Sequence, residues 1–106
     1  PPHYPDPPIT WNQIQMFDGG AYSGNWFWLA KGFMYADLTG VSRGGWFGGD
    51  WNDEIWSLSS TNTPCIYCEH VQLQGSKLFL VANKPIPLLS ALGWSARISS
   101  VWNFDM

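Results

Sequence analysis

Cys65 and Cys68 stand in the stretch CIYCEH, with His70 two residues further on and His3 far upstream. Two thiolates and two imidazoles could hold a tetrahedral zinc ion, but the spacing CxxC normally needs a second close pair of ligands, and none follows. His3 could serve only if the N-terminal segment folded back. The competing reading is a structural cysteine pair, bridged or free. A redox CxxC opens a helix, whereas this one lies among β-formers, and CxxCEH misses the haem attachment spacing CxxCH by one residue. Asp50, Asp53 and Glu54 are too close in sequence to act as an opposed acid and base, and neither histidine has a serine or aspartate partner at motif spacing. RGGWFGGD, residues 43–50, has neither the GxxxxGK(S/T) nor the GxGxxG layout, and reads as a loop carrying Trp46 and Phe47. No catalytic residue is assigned, and the chain reads as a non-enzyme.

The elements that must position these residues belong to one domain, since 106 residues are too few for two separate cores. Lys and Arg number 5 against 8 Asp and Glu, a net charge of −3, which is not the basic footprint a nucleic acid requires. A charged fraction of 12% beside a hydrophobic fraction of 45% is the composition of a folding chain, not of a disordered one. Gly, Asp, Asn, Ser or Lys interrupts every apolar run before it reaches the length of a membrane span, about 18 residues. The chain starts at Pro1, as a mature form with its signal peptide removed would, so a secreted, extracellular protein is expected.

Five prolines in PPHYPDPP make residues 1–8 an extended, polyproline-like tail, either a plain leader or a docking arm built on Tyr4. From Ile9 the apolar stretches WFWLA, CIYCEHVQL, KLFLVA and ARISSVW are short and separated by Gly, Asn and Pro, the spacing of β-hairpins. An all-β, two-sheet sandwich follows. PIPLLSALGW is the one helical exception, a turn or two opened near Pro87 and stopped by Gly93. The chain also repeats itself. FDGGAYSG at 17–24 and CEHVQLQG at 68–75 share one frame: a large or apolar residue, four residues, a second apolar residue, any residue, then glycine. Each precedes an apolar strand, and WNDEIWSL and WSARISSV follow later. The frame describes a hairpin folded back over its own sheet, with glycine where a side chain would clash or φ is positive. Two such Greek keys, residues 9–60 and 65–104, cannot bury their inner faces alone and must pack together within the domain 9–106. Phe27, Leu29, Leu78, Leu80, Ile98 and Val101 are the expected shared core.

These residues resemble the βγ-crystallin superfamily, whose repeat carries a YxxxxFxG hairpin and a later box of two Asn or Asp, two variable residues, Ser or Thr, then Ser. FDGGAYSG fits the hairpin, CEHVQLQG fits less well, and Asn52, Asp53 and Ser57 match the first box. The resemblance implies calcium sites shared between boxes. Each takes a side chain from the second position of one box and the hydroxyl from the fifth position of the other, with backbone carbonyls completing an oxygen-only set. The first box has Trp56 at its hydroxyl position, and the second has Ser95 and Ala96 but keeps Ser99. At most one calcium site is therefore expected, from Asp53 and Ser99 with carbonyls near Glu69 and Arg97. Both repeats lack the small serine often found two residues after the hairpin glycine; Trp26 and Lys77 stand there.

Strand alternation puts Trp26 and Trp28 on one face and Phe27 and Leu29 on the other. In the second repeat Lys77 marks the outer face, so Trp26, Trp28 and Phe79 are expected to be partly exposed. Such aromatic area is a contact surface for a protein, a glycan or a second copy, unless the proline tail covers it. Two roles are open: a structural or self-associating protein, calcium-binding at one site, or a secreted binding effector. The resemblance gives precedents for the second, since the superfamily includes killer toxins and a protease inhibitor; a lectin-like module is the other variant.

Overall fold

The computed structural model describes residues 13–43, 49–59 and 62–104. The tail 1–8 and the Trp46–Phe47 loop tip, both singled out above, lie outside the described residues. Among the described residues seven strands form: β1 (Gln13–Phe17), β2 (Trp26–Ala30), β3 (Met34–Tyr35), β4 (Ser57–Leu58), β5 (Cys65–His70), β6 (Gln74–Leu80) and β7 (Ser100–Asn103). They make a three-stranded sheet, β2-β1-β4, and a four-stranded sheet, β3-β7-β5-β6, with antiparallel pairing throughout.

Alternation along the strands decides what each buries. In QIQMF the apolar Ile14 and Met16 point inward and Gln13 and Gln15 outward; in WFWLA Leu29 is buried, Phe27 half-buried, and both tryptophans exposed. Leu29, Ile98 and Val101 lie in the core as expected, joined by Trp51, Ile55, Tyr67, Leu38 and Leu89, while Phe27, Leu78 and Leu80 pack against it from its rim.

Each repeat lends its third strand to the other's sheet. β3, from the first repeat, pairs with β7 of the second. Ile86, from the second, exchanges two hydrogen bonds of 2.9 Å with Leu58 of β4. Neither repeat can complete its sheet alone, which is why the core is shared. PIPLLSALGW makes a single 3-10 turn, Leu89–Leu92, ended by Gly93 at φ 73°.

Both hairpins fold back over their sheets and are tied by the same device. Ser57 Oγ accepts from the Tyr22 amide at 3.1 Å and donates to the Gly19 carbonyl at 2.6 Å. Ser100 Oγ accepts from the Leu73 amide at 3.1 Å and donates to the His70 carbonyl at 2.7 Å. These ties hold Ala21, Tyr22, Gln72 and Leu73 at φ between 54° and 60°, a left-handed backbone costing about 1–2 kcal/mol per residue outside glycine. The tying serine is in each case the sixth residue of the box, Ser57 and Ser100. In the first hairpin Tyr22 meets Phe17 edge to face at 5.9 Å; in the second Leu73 and the buried Cys68 hold the equivalent places.

Candidate functional site

The box loops cross over one another at one end of the sandwich. The Asp53 amide donates to the Ile98 carbonyl at 3.0 Å, and the Ala96 amide donates to the Ile55 carbonyl at 3.1 Å, so the two loops hold each other by equivalent bonds. Asp53 and Ala96 share a left-handed backbone, φ 57° and 56°. This crossing brings Asp53 and Ser99 together although 46 residues separate them: Ser99 Oγ donates to Asp53 Oδ1 at 3.3 Å. The Ser99 amide is anchored on the Cys68 carbonyl at 2.9 Å. Both side chains line an open cleft of about 460 Å³ together with Asn52, Glu69, His70 and Arg97.

Among the described residues Asn52 Oδ1 is buried without a hydrogen-bond partner. The cleft therefore offers a carboxylate, a hydroxyl and an unsatisfied amide oxygen, a hard, all-oxygen set that fits calcium better than a soft metal. Glu69 adds no free charge. Its carboxylate accepts from Arg97 Nε at 3.2 Å and Nη2 at 2.6 Å, and this pairing holds its pKa below the ordinary glutamate value against a smaller desolvation effect. Arg97 also donates to the Gly93 carbonyl at 2.7 Å and lies 4.7 Å over the Trp94 ring.

The equivalent place in the first repeat has Trp56 and Ala96 where the second has Ser99 and Asp53, and offers no side-chain oxygen from those positions. Arg43 occupies its neighbourhood. Its Nη2 donates to Asp18 at 2.7 Å, its Nη1 lies 3.8 Å from Glu54, and its guanidinium sits 5.8 Å over Trp51, the counterpart of Trp94. Partial burial alone would raise the Asp18 pKa, but hydrogen bonds from Asn25 and Arg43 outweigh it and bring it below the ordinary value. Nothing in the sequence reading singled out Arg43.

Cys65 and Cys68 are both free and buried. Three positions apart on β5, they point to opposite faces of the sheet, Cys65 into the core and Cys68 under the second hairpin. Burial pushes the Cys65 thiol up to about 12, well away from the thiolate a metal or a redox reaction needs. No cluster of three or more His, Cys, Asp or Glu able to hold a metal occurs among the described residues.

Two sheets built from paired Greek keys, each completed by a strand segment from the other, with serine-tied hairpins and crossed box loops, form a known arrangement. The fold is that of a βγ-crystallin domain. No protein-family profile and no curated protein sequence matches the chain, but solved βγ-crystallin structures do. One, solved in connection with the evolution of the eye-lens βγ-crystallin domain fold, superposes with a TM-score of 0.72 at 16% identity, covering 95% of this chain and 89% of that one. A βγ-crystallin from Ciona intestinalis gives 0.68 at 18% identity over 86% and 98%. IPSE alpha-1, an IgE-binding crystallin, gives 0.63 at 15% identity over 88% and 82%.

Within this βγ-crystallin fold the expected contact residues divide between two surfaces. Trp26 and Trp28 lie on the outer face of the three-stranded sheet, their rings 5.7 Å apart and each half exposed. Phe79 is on the outer face of the four-stranded sheet, on the other side of the sandwich. There it stands in register with a row that the sequence reading did not single out, Ile66, Trp102 and Met34 on the successive strands, and its ring lies 6.2 Å from that of Phe104. Outward parity in β5 and β7 was readable from the alternation of CIYCEH and SVWN; their alignment with Phe79 was not.

Proposed function

We propose that this chain is a non-enzymatic, extracellular structural module, capable of self-association, whose two repeats are pinned together by one calcium ion at Asp53 and Ser99. The observation that carries the reading is the meeting of these two side chains across the crossed box loops. A bound cation would engage oxygens from both repeats, and so would stabilise the folded state by mass action. With a single free carboxylate the affinity falls in the range of about 10⁻⁴–10⁻³ M, which only extracellular calcium would saturate. The resemblance of the fold to crystallin-type domains supports the non-enzymatic role. Titration calorimetry with calcium on the full chain should give one weak, saturable event that Asp53→Ala removes. Two equal sites would overturn the cross-shared assignment, and no heat at millimolar calcium would make the cleft a relic.

A second reading, a secreted binding effector for a protein or glycan, is favoured by the exposed Trp26–Trp28 pair. The pair offers two indole faces for stacking, and a similar fold is described as IgE-binding in another protein. A saturable complex of the monomer, lost in Trp26→Ala, would favour it over the structural role.

A further inference from the structure

Residues 1–12 lead into β1, and the first eight of them have a period of three. In a polyproline helix three residues make a turn, so positions three apart form a ridge. Pro2, Pro5 and Pro8 make one ridge and Pro1, Tyr4 and Pro7 a second, while the third begins with His3 and Asp6. Two apolar ridges beside a polar one make the segment amphipathic. Aromatic-lined grooves recognise segments of this kind, whose fixed φ angles lower the entropy lost on docking.

Such a groove lies where the segment enters the domain. Gln13 pairs with Ala30 of β2. Beside it, Trp28, Leu29, Ala30, Phe33, Met34 and Tyr35 line an open depression of about 280 Å³ with no charged side chain among them. Trp28 belongs both to this depression and to the ring pair with Trp26, so the aromatic surface runs on from Phe33 to Trp26. Trp26 is 50% exposed, Trp28 51%, Met34 51% and Phe33 66%.

The fold does not require this surface. Gly32 and Asn83 each stand eight residues after a hairpin glycine, Gly24 and Gly75, and all four have positive φ. Tyr35 and Ile86 then cross to equivalent places, beside Val101 and Leu58. In this alignment Trp26 matches Lys77 and Phe33 matches Lys84, and both lysines are exposed. Where the second repeat puts two solvated ammonium groups, the first puts an indole and a phenyl ring with half or more of their surface in water. Core burial does not account for them.

We propose that residues 1–8 dock on this surface as a polyproline helix, with the two apolar ridges against Phe33, Trp28 and Trp26 and with His3 and Asp6 turned to water. The proposal goes beyond both functional readings and holds with or without calcium. It makes the chain's own segment the occupant that any partner of the Trp26–Trp28 pair must displace. The lengths agree. Paired strands put Gln13 within about 5.5 Å of Ala30, and the four residues 9–12 reach up to about 14 Å further. Eight residues of polyproline helix then span about 25 Å, against about 13 Å from Ala30 to Trp26 along β2, with the turn that carries Phe33 beyond. So short a connection holds the segment at an effective concentration of about millimolar, which fills a contact too weak to retain a separate peptide.

Nuclear magnetic resonance of the full chain with a nitroxide attached at His3→Cys tests this; Cys65 and Cys68 are buried and compete poorly for the label. The indole N–H signals of Trp26 and Trp28 should lose most of their intensity. The amides of β6, at the far edge of the four-stranded sheet, should keep theirs. Phe33→Lys, which installs the side chain that the second repeat carries at the same place, should reduce the loss several-fold with the fold intact. Pro2→Gly, Pro5→Gly and Pro8→Gly combined should do the same, and Phe79→Lys should leave it unchanged. Full intensity at Trp26 and Trp28 in the labelled parent, equal loss at β2 and β6, or a loss that survives both sets of substitutions would overturn the proposal. So would a loss that appears undiminished in an isotope-labelled chain mixed with the nitroxide-bearing one, since the segment would then dock on a second copy. None of these outcomes touches the calcium site, which the Asp53→Ala titration reads separately.

Discussion

Ser57→Ala removes one oxygen atom that serves two backbone groups of the first hairpin. The Gly19 carbonyl loses a donor at 2.6 Å and the Tyr22 amide loses an acceptor at 3.1 Å, next to a serine that is fully buried. A buried polar group left unpaired costs about 1–3 kcal/mol; the hairpin is near the surface, so water can recover part of each bond and the lower end applies to both. The edge-to-face contact of Tyr22 on Phe17, worth about 0.5–1.5 kcal/mol, loosens with the tie. Together the loss should be about 2–4 kcal/mol, a large share of the roughly 5–15 kcal/mol that holds a domain of this size folded. Ser100→Ala breaks equivalent bonds, but Leu73 over Cys68 forms no ring pair, so its cost should be smaller by about 1 kcal/mol. Urea unfolding followed by tryptophan fluorescence reads both, provided the denaturant slope stays constant. A cost under about 0.5 kcal/mol for both variants, or a larger cost for Ser100→Ala, would show that the serines follow the hairpins' geometry instead of imposing it.

Two further outcomes follow from the charges around the box loops. Arg97→Gln frees the Glu69 carboxylate beside Asp53 and removes a cation from the cleft, so calcium affinity by calorimetry should rise several-fold; an unchanged or weaker affinity would mean that Glu69 cannot reach the ion. Asp18 has a folded pKa below its ordinary 3.8, held there by hydrogen bonds from Asn25 and Arg43, so these bonds stabilise the fold above that value and their contribution is lost as pH falls through the folded pKa. Acid unfolding of Arg43→Gln should therefore show a flatter loss of stability below about pH 4 than the parent chain.

The first hairpin was legible because its chemistry is local: an aromatic pair, a left-handed turn and a glycine at φ 81° all fall within eight consecutive residues. A side chain at Gly24 would strike the Asp18 carboxylate, and at Gly75 it would approach His70 Cδ2 to 2.5 Å, so the glycines survive even where Cys68 and Leu73 have replaced the aromatics. The pairing of Asp53 with Ser99 was reached through the resemblance, since nothing in a local window joins residues 46 apart. Two features escaped. The row Met34–Trp102–Ile66–Phe79 depends on β3 crossing to the other repeat's sheet, and β3 is only two residues long. Arg43 was passed over because its stretch reads as glycine-rich loop, while its partners Asp18 and Glu54 lie in the hairpin and the box.

Comparing the repeats separates what the fold demands from what this chain has added. The hairpin glycines, the tying serines and the left-handed box residues recur in both halves, so each is a condition of the architecture. The guanidiniums are more telling. Arg97 comes from the box of its own repeat and Arg43 from a connecting loop, yet each pairs with the carboxylate that follows the first hairpin residue and each lies over the tryptophan that opens the box. Two arginines from unrelated positions arriving at one arrangement argue that a cation is needed beside Asp18 and Glu69 whether or not a metal binds. In the first repeat, where Trp56 and Ala96 supply no oxygen, Arg43 links the hairpin to the box loop through Asp18 and Glu54. In the second, Asp53 and Ser99 meet in the cleft beside Asn52, whose Oδ1 has no hydrogen-bond partner among the described residues, so side-chain oxygens remain there for the proposed ion. Calcium should therefore act on this domain from one side only, rigidifying the Asp53–Ser99 crossing while the Arg43 end stays as it is. Backbone amide exchange with and without calcium would show this as added protection near Ile98 and Ser99 and none near Ile55 and Trp56.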